Sequence, residues 1–304
     1  MWQNKQLRFL IIQLLDSSLY LCNVIAICIC NFRLFLELTY YPMKKILSVV
    51  LILAFSAGIF TGCKKDKGVA PTLPPAESMI VDFSNFTSGT KGINPSNWEF
   101  AAAVAGVWNV IISTTLAIPV ASYKLALMQT PVNIGTKTWQ WSYDVPVAAV
   151  TYKARLTGLI RTSDVQWKMY VSREGTGGFA EFLWFEGTSK LDGTSGQWIL
   201  YQSATVTDAL LQIDWTKTAT AIGSVKYTYV KSDVFNTSYL TYGLTTSALN
   251  AYYTIHYYDF GMAKFSDVNI EWSTTAHNGR VKSSNYLLGT WYCWDAGKVD
   301  VTCP

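Results

Sequence analysis

Histidine, cysteine and carboxylate side chains are the groups from which most catalytic and metal sites are built, and this chain holds few of the first two. His256 sits between Ile255 and Tyr257 in a tyrosine-rich run, and His277 precedes Asn278-Gly279. No His-x-x-x-His or Cys-x-x-Cys spacing is present, so no zinc site is expected. No G-x-S-x-G elbow, phosphate loop or dinucleotide fingerprint appears either. Gly175 to Gly178 lies between strand-like runs, which makes it a turn and not a phosphate cradle. Acid–base cleavage of a glycoside needs only two carboxylates flanking the bond. Glu181, Glu186, Asp214, Asp259 and Glu271 stand beside aromatics, but acids also decorate the solvated faces of any strand. We therefore expect no enzyme activity, no metal and no cofactor.

The most specific signal begins at Met43. Lys44 and Lys45 form a positive start, and Ile46 to Phe60 is an uncharged, mostly apolar run. Phe60-Thr61-Gly62-Cys63 follows. A charged start, a short apolar stretch and small residues before a cut are the pattern of a secretory signal peptide. The run is shorter than the about 20 residues that span a bilayer. Ending in Gly62-Cys63, the segment resembles the bacterial lipoprotein signal, although Phe60 stands where leucine is more usual. The resemblance implies cleavage before Cys63 and acylation of that residue. Each buried methylene contributes about 0.8 kcal/mol to membrane attachment, and more than one chain is needed for stable anchoring. Residues 1–42 then read as an upstream extension with Met43 the true start; the alternative is an additional membrane segment. Residues 63–77, with three prolines and several small residues, read as the lipidated cysteine and an extended tether. Lys64 after the cysteine points by analogy to the outer membrane, facing either the periplasm or the exterior.

Three of six cysteines (Cys22, Cys28, Cys30) fall in residues 1–42. Of the rest, Cys293 and Cys303 would enter an oxidising compartment. They flank a segment turning at Ala296-Gly297-Lys298, and we expect a disulfide across a C-terminal hairpin centred on Lys298.

The elements that must carry these residues are mainly strands. From Lys137 onward apolar and polar residues alternate, as in Trp139, Trp141, Tyr143 and Val145, or Leu211, Ile213 and Trp215. Asp192-Gly193, Ser195-Gly196 and Asn278-Gly279 read as turns. We count eleven to twelve antiparallel strands in one domain over 78–304, enough to curl into a strongly bent sheet or a barrel. Phe179, Leu183 and Phe185 on one face, with Phe182 and Trp184 on the other, require cover on both sides. Between Glu99 and Lys124 there is no charge. Ser96 and Glu99 have capping-box spacing, so 96–117 is expected to be a helix stopped by Pro119 and packed against or inside the sheet. A membrane span is the alternative, and β-branched Val110-Ile111-Ile112 could make its second half a strand.

Overall, 14% of residues are charged, against about 25% in ordinary domains. Residues 63–304 hold 19 basic and 18 acidic side chains, which leaves no field for nucleic acid. The same residues hold eleven Trp and fifteen Tyr. Aromatic load fills cores, and it also lines cavities and sugar platforms. In element order and composition the chain resembles the lipoprotein carrier and localisation proteins of the Gram-negative envelope, whose curved sheets enclose acyl chains. Trp291-Tyr292-Cys293-Trp294-Asp295 resembles a C-terminal signature of uncharacterised Gram-negative lipoproteins. The resemblance implies a membrane-anchored lipoprotein holding an apolar, lipid-like ligand. Trp139, Trp141, Trp167 and Trp184 are the residues expected to line the site. A carbohydrate-binding surface lipoprotein, or an interaction module without a small ligand, is the alternative.

Overall fold

The computed structural model describes residues 68–86, 95–218 and 221–304. The expectations for residues 1–42, for the signal segment 43–62 and for lipidation at Cys63 lie outside the described residues. Lys67–Pro304 forms one compact unit.

The described residues form one α-helix, two single-turn 3-10 helices (Ala76–Ser78 and Ser84–Phe86) and fourteen strands. The α-helix, α1, is Asn97–Ala126. The strands are β1 Val132–Gly135, β2 Thr138–Val147, β3 Val150–Ile160, β4 Asp164–Arg173, β5 Phe179–Lys190, β6 Ser195–Tyr201, β7 Ala209–Lys217, β8 Ile222–Tyr229, β9 Tyr239–Leu244, β10 Ala251–Asp259, β11 Lys264–Trp272, β12 Gly279–Ser283, β13 Tyr292–Trp294 and β14 Asp300–Val301. They form one curved antiparallel meander in chain order, and β1 does not pair with β14, so the sheet stays open. Strands in excess of the expected eleven or twelve are short ones at the edges: β1, β13 and β14. Short edges limit the unpaired backbone that invites edge-to-edge association.

The concave face is filled by the chain's own N-terminal part, in two crossings. The first runs from Pro71 to Phe86. Pro71 lies against Gly158 of β3. Trp198 of β6 donates to Ser78 Oγ at 3.1 Å. The Tyr227 hydroxyl of β8 accepts from Val81 N at 3.0 Å and donates to Met79 O at 3.1 Å. Phe83 stacks on Tyr253 of β10, and Phe86 meets Trp272 and Trp294 edge-on. An irregular segment has backbone groups that no ladder satisfies, and buried ones must find partners. Tyrosine and tryptophan supply bulk with a polar tip, and Tyr227 and Trp198 use theirs in this way. Packing thus begins at Pro71 rather than at 78, and residues 71–77 are part of the domain instead of a loose tether. The Tyr123 hydroxyl donates to Pro74 O at 2.7 Å, and Leu73 is packed against the core.

The second crossing is α1. It starts as expected: Ser96 Oγ accepts from Glu99 N while Glu99 Oε2 accepts from Ser96 N at 2.8 Å, a complete capping box. It does not stop at Pro119. An interior proline costs about 3 kcal/mol, but Leu116, Pro119, Val120, Tyr123 and Ala126 are all buried, and their burial offsets that cost. The β-branched stretch is helical too, with Thr114 Oγ1 bonded back to Val110 O at 2.7 Å. The helix runs from β13, where Asn97 Nδ2 donates to Cys293 O, to β2, where the Tyr143 hydroxyl donates to Ser122 O at 2.7 Å. It therefore bridges the neighbourhoods of the two open edges. Its buried stripe (Trp98, Ala101, Ala105, Trp108, Ile112, Leu116) follows the three-to-four spacing of a helix face. Val107, Val110 and Ile111, on the other side, are exposed.

Glycines inside strands make room for the largest rings. A Cβ at Gly158 would lie 2.6 Å from the Trp167 ring, at Gly187 2.5 Å from Trp198, and at Gly196 2.7 Å from Trp215. Gly279 is placed likewise beneath Trp294. Interior strand glycines mark such close approaches. Ser195-Gly196 and Gly279 are consequently strand residues, not turn residues. At the β11–β12 connection the left-handed conformation falls on His277.

β5 departs from simple alternation because it bulges. Phe185 faces Met169 and Leu183 faces Tyr170, so Trp184 is the extra residue. Trp184 packs edge-on against both Phe179 and Phe182, with centroids 5.9 and 5.8 Å apart, so Phe179 does not take the opposite face from Trp184. In β10, Tyr253 and Tyr257 join the core, while Tyr252 covers Gly243 and Tyr258 packs on Phe265.

The Cys293–Cys303 disulfide is present. The hairpin is centred one residue earlier than expected: Cys293 pairs with Val301 and Trp294 with Asp300. Cys303 lies beyond the last strand and returns to reach its partner.

Candidate ligand groove

Trp141 and Trp167 are sealed in the core, 2% and 0% exposed, with ring centroids 5.9 Å apart. Trp167 Nε1 donates to Ser189 Oγ at 3.0 Å. Trp139 is half-buried beside them, and its Nε1 has no partner among the described residues. Trp184 belongs to the β5 cluster instead. These four residues therefore do not line a shared cavity. The concave face on which they were placed is occupied by α1 and by residues 71–86.

The acids singled out in the sequence are held at the sheet surface. Glu181 takes a two-pronged ion pair from Arg155, at 2.8 and 2.6 Å. Glu186 accepts from the Tyr201 hydroxyl at 2.7 Å and pairs with Lys168. Asp214 is held by the amides of Gln197 and Gln212, and Glu271 by Arg280. Asp259 accepts from Met262 N. His256 is stacked between Tyr239 and Phe265, and its Nδ1 is 2.8 Å from Asp267. Among the described residues no three His, Cys, Asp or Glu side chains come together as a metal site would require.

The groups with the most perturbed protonation are core tyrosines. Burial pushes the hydroxyls of Tyr123, Tyr143, Tyr227 and Tyr253 well above the ordinary phenol value. These hydroxyls bind backbone carbonyls of the two crossings, so their role is to hold structure.

Space for a ligand exists along α1. A half-open groove of about 370 Å³ runs between the helix and the end of β10, lined by Phe100, Ala103, Val104, Val107, Trp108 and Tyr257, with Pro95 and Glu99 at one end. It arises because α1 is apolar all round while only one stripe of it is buried. Phe100, Ala103, Val104 and Val107 lie off that stripe and border the open space. Phe100 is braced from behind by Tyr286, the rings 4.0 Å apart and nearly parallel. A second depression of about 340 Å³ is bounded by Phe86, Trp98, Trp272 and Trp294, with His277 and Lys298 at its rim. Lys298 already lies over the Trp98 ring, 3.8 Å from its centroid.

The groove was not foreseen from the sequence. Its signal was the uncharged run from Phe100 to Tyr123, which is longer than one buried face requires. Set against protein-family models, curated proteins and solved structures, the chain matches none.

Proposed function

We propose that this protein is a non-enzymatic envelope lipoprotein, tethered to the membrane through Cys63, that holds an apolar, lipid-like ligand in the groove between α1 and β10. The groove carries the reading. It is largely apolar and lies within the about 300–1,000 Å³ range of small-molecule sites. The helix beside it is the one described element long and apolar enough to have met lipid, yet its most apolar window is only 33% buried. An exposed apolar groove of this kind costs free energy unless something covers it. Protein extracted gently from membranes should carry a co-purifying apolar molecule, seen as added mass in native spectra and released by organic solvent. An apo mass from every preparation would refute ligand binding. The tether is tested separately: Cys63→Ser should move the chain from the membrane to the soluble fraction, and unchanged fractionation would refute it.

A second reading, an interaction module without a small ligand, is favoured by the concave face being filled by the chain itself. It predicts the apo mass.

A further inference from the structure

We infer that the ligand of the α1–β10 groove is a single alkyl or acyl chain whose head group is a hydrogen-bond donor and not an anion. The inference rests on the groove reading above and adds the chemistry of the head.

The walls are apolar and follow one line. Phe100, Ala103, Val104 and Val107 lie along two turns of α1, and Tyr257 faces them. A volume of about 370 Å³ is at the small end for ligand sites, which suits one chain better than a two-chain lipid.

Charge at the ends of the groove has one sign. Glu99 is the charged side chain among the lining residues. Its Oε2 accepts from Ser96 N, and no bond to Oε1 is seen among the described residues. Asp300 takes Asn97 N at 2.8 Å on the same helical turn. Burial first, and then the negative charge of Asp300 and Glu99, push the Tyr286 hydroxyl above the ordinary phenol value, a field felt at the ring that backs Phe100. On the facing wall the Tyr257 hydroxyl lies against Asp259 and Asn285.

The positive end of the α1 dipole would favour an anion, but the capping box and Asp300 already supply the negative charge there. The basic residues on neighbouring elements do not line the groove. Lys298 covers Trp98 and borders the second depression, and Lys264 stands opposite Asp259 in the β10–β11 register. A carboxylate or phosphate head at the groove end would face Glu99 without a compensating cation. An ammonium or hydroxyl head would instead donate to it.

The test uses the full chain in its own membrane and three photoactivatable dodecyl probes, bearing an amine, a glycerol ester or a carboxylate head. Label is mapped by peptide mass to the Phe100–Val107 segment and normalised to total label on the chain. Amine and glycerol probes should label this segment about tenfold more than the carboxylate probe, the ratio for one favourable contact replaced by a like-charge one. Glu99→Gln keeps the cap, because glutamine also completes a capping box, and should bring the three probes to within about threefold of one another. Equal labelling by all three in the unaltered chain, or preference for the carboxylate, overturns the head-group inference and leaves the groove reading intact. If no probe labels the segment, the groove reading itself fails. Ala103→Phe, checked for an unchanged melting temperature, should abolish labelling by all three; persistence of label would place the chain elsewhere and count against both.

Discussion

Replacing Tyr227 by phenylalanine isolates the contribution of one buried hydroxyl. The ring is fully buried at the centre of the sheet and phenylalanine keeps its shape, so no cavity of consequence forms. What disappears is an oxygen that accepts from Val81 N and donates to Met79 O, at 3.0 and 3.1 Å. Two backbone groups of an irregular, buried segment are then left without partners. A lost hydrogen bond costs about 0.5–1.5 kcal/mol net, and an orphaned buried group about 1–3 kcal/mol. Allowing for the desolvation no longer spent on the hydroxyl, we expect a loss of about 2–4 kcal/mol. For a unit of this size that lowers the melting temperature by about 5–12 °C. The control is Tyr229→Phe, two residues along the same strand, where the hydroxyl donates to Asp233 near solvent. It should cost below about 1 kcal/mol. Urea titrations followed by tryptophan fluorescence give both values, with an unchanged slope confirming that the denatured state is not the cause. Equal losses for the two variants would refute the claim that strand tyrosines hold the 71–86 crossing in place.

Two further outcomes follow from the same core. Tyr123, Tyr143, Tyr227 and Tyr253 keep their protons in the folded state beyond the pH at which free tyrosine loses them. The unfolded chain therefore binds fewer protons above pH about 10, and stability, fully present below that pH, falls as pH rises, by up to about 1.4 kcal/mol per unit for each of the four; alkaline titration monitored by circular dichroism should show a steep loss there, and a flat profile to pH about 12 would contradict it. Gly196→Ala should destabilise by about 2 kcal/mol or more, because its Cβ would meet the Trp215 ring at 2.7 Å, whereas Gly193→Ala, with open space around it and φ of +68°, should cost only about 1 kcal/mol; thermal melts that rank them in the opposite order would sink the steric argument.

The class of fold was written in the alternation of residues such as Trp139, Trp141 and Tyr143, since a period of two leaves a half-buried strand as the stable outcome. The helix start at Ser96 and Glu99 was equally local, being one turn of hydrogen bonds, and so was the cysteine pair at the C-terminal turn. The helix end was not. Pro119 is a local stop signal, and burial of the residues around it against distant strands overrode it. Nor did the pattern reveal that Ser195-Gly196 and Gly279 are places for Trp215 and Trp294 to sit, because glycine reads alike whether it supplies a turn or a gap.

The candidate site shows the same division. The aromatic count announced a ring-filled interior, and it could not say which rings would be sealed and which would border space. Trp141 and Trp167 are sealed because residues 71–86 and α1 occupy the concave face, an arrangement fixed by side chains more than a hundred positions away, such as Tyr227 and Trp198. The groove exists because one stripe of an evenly apolar helix meets the sheet and the next does not. Composition determines that α1 is apolar on every side. Only the path of the helix from β13 to β2 determines which side is left uncovered, because burial depends on neighbours that chain order alone does not place.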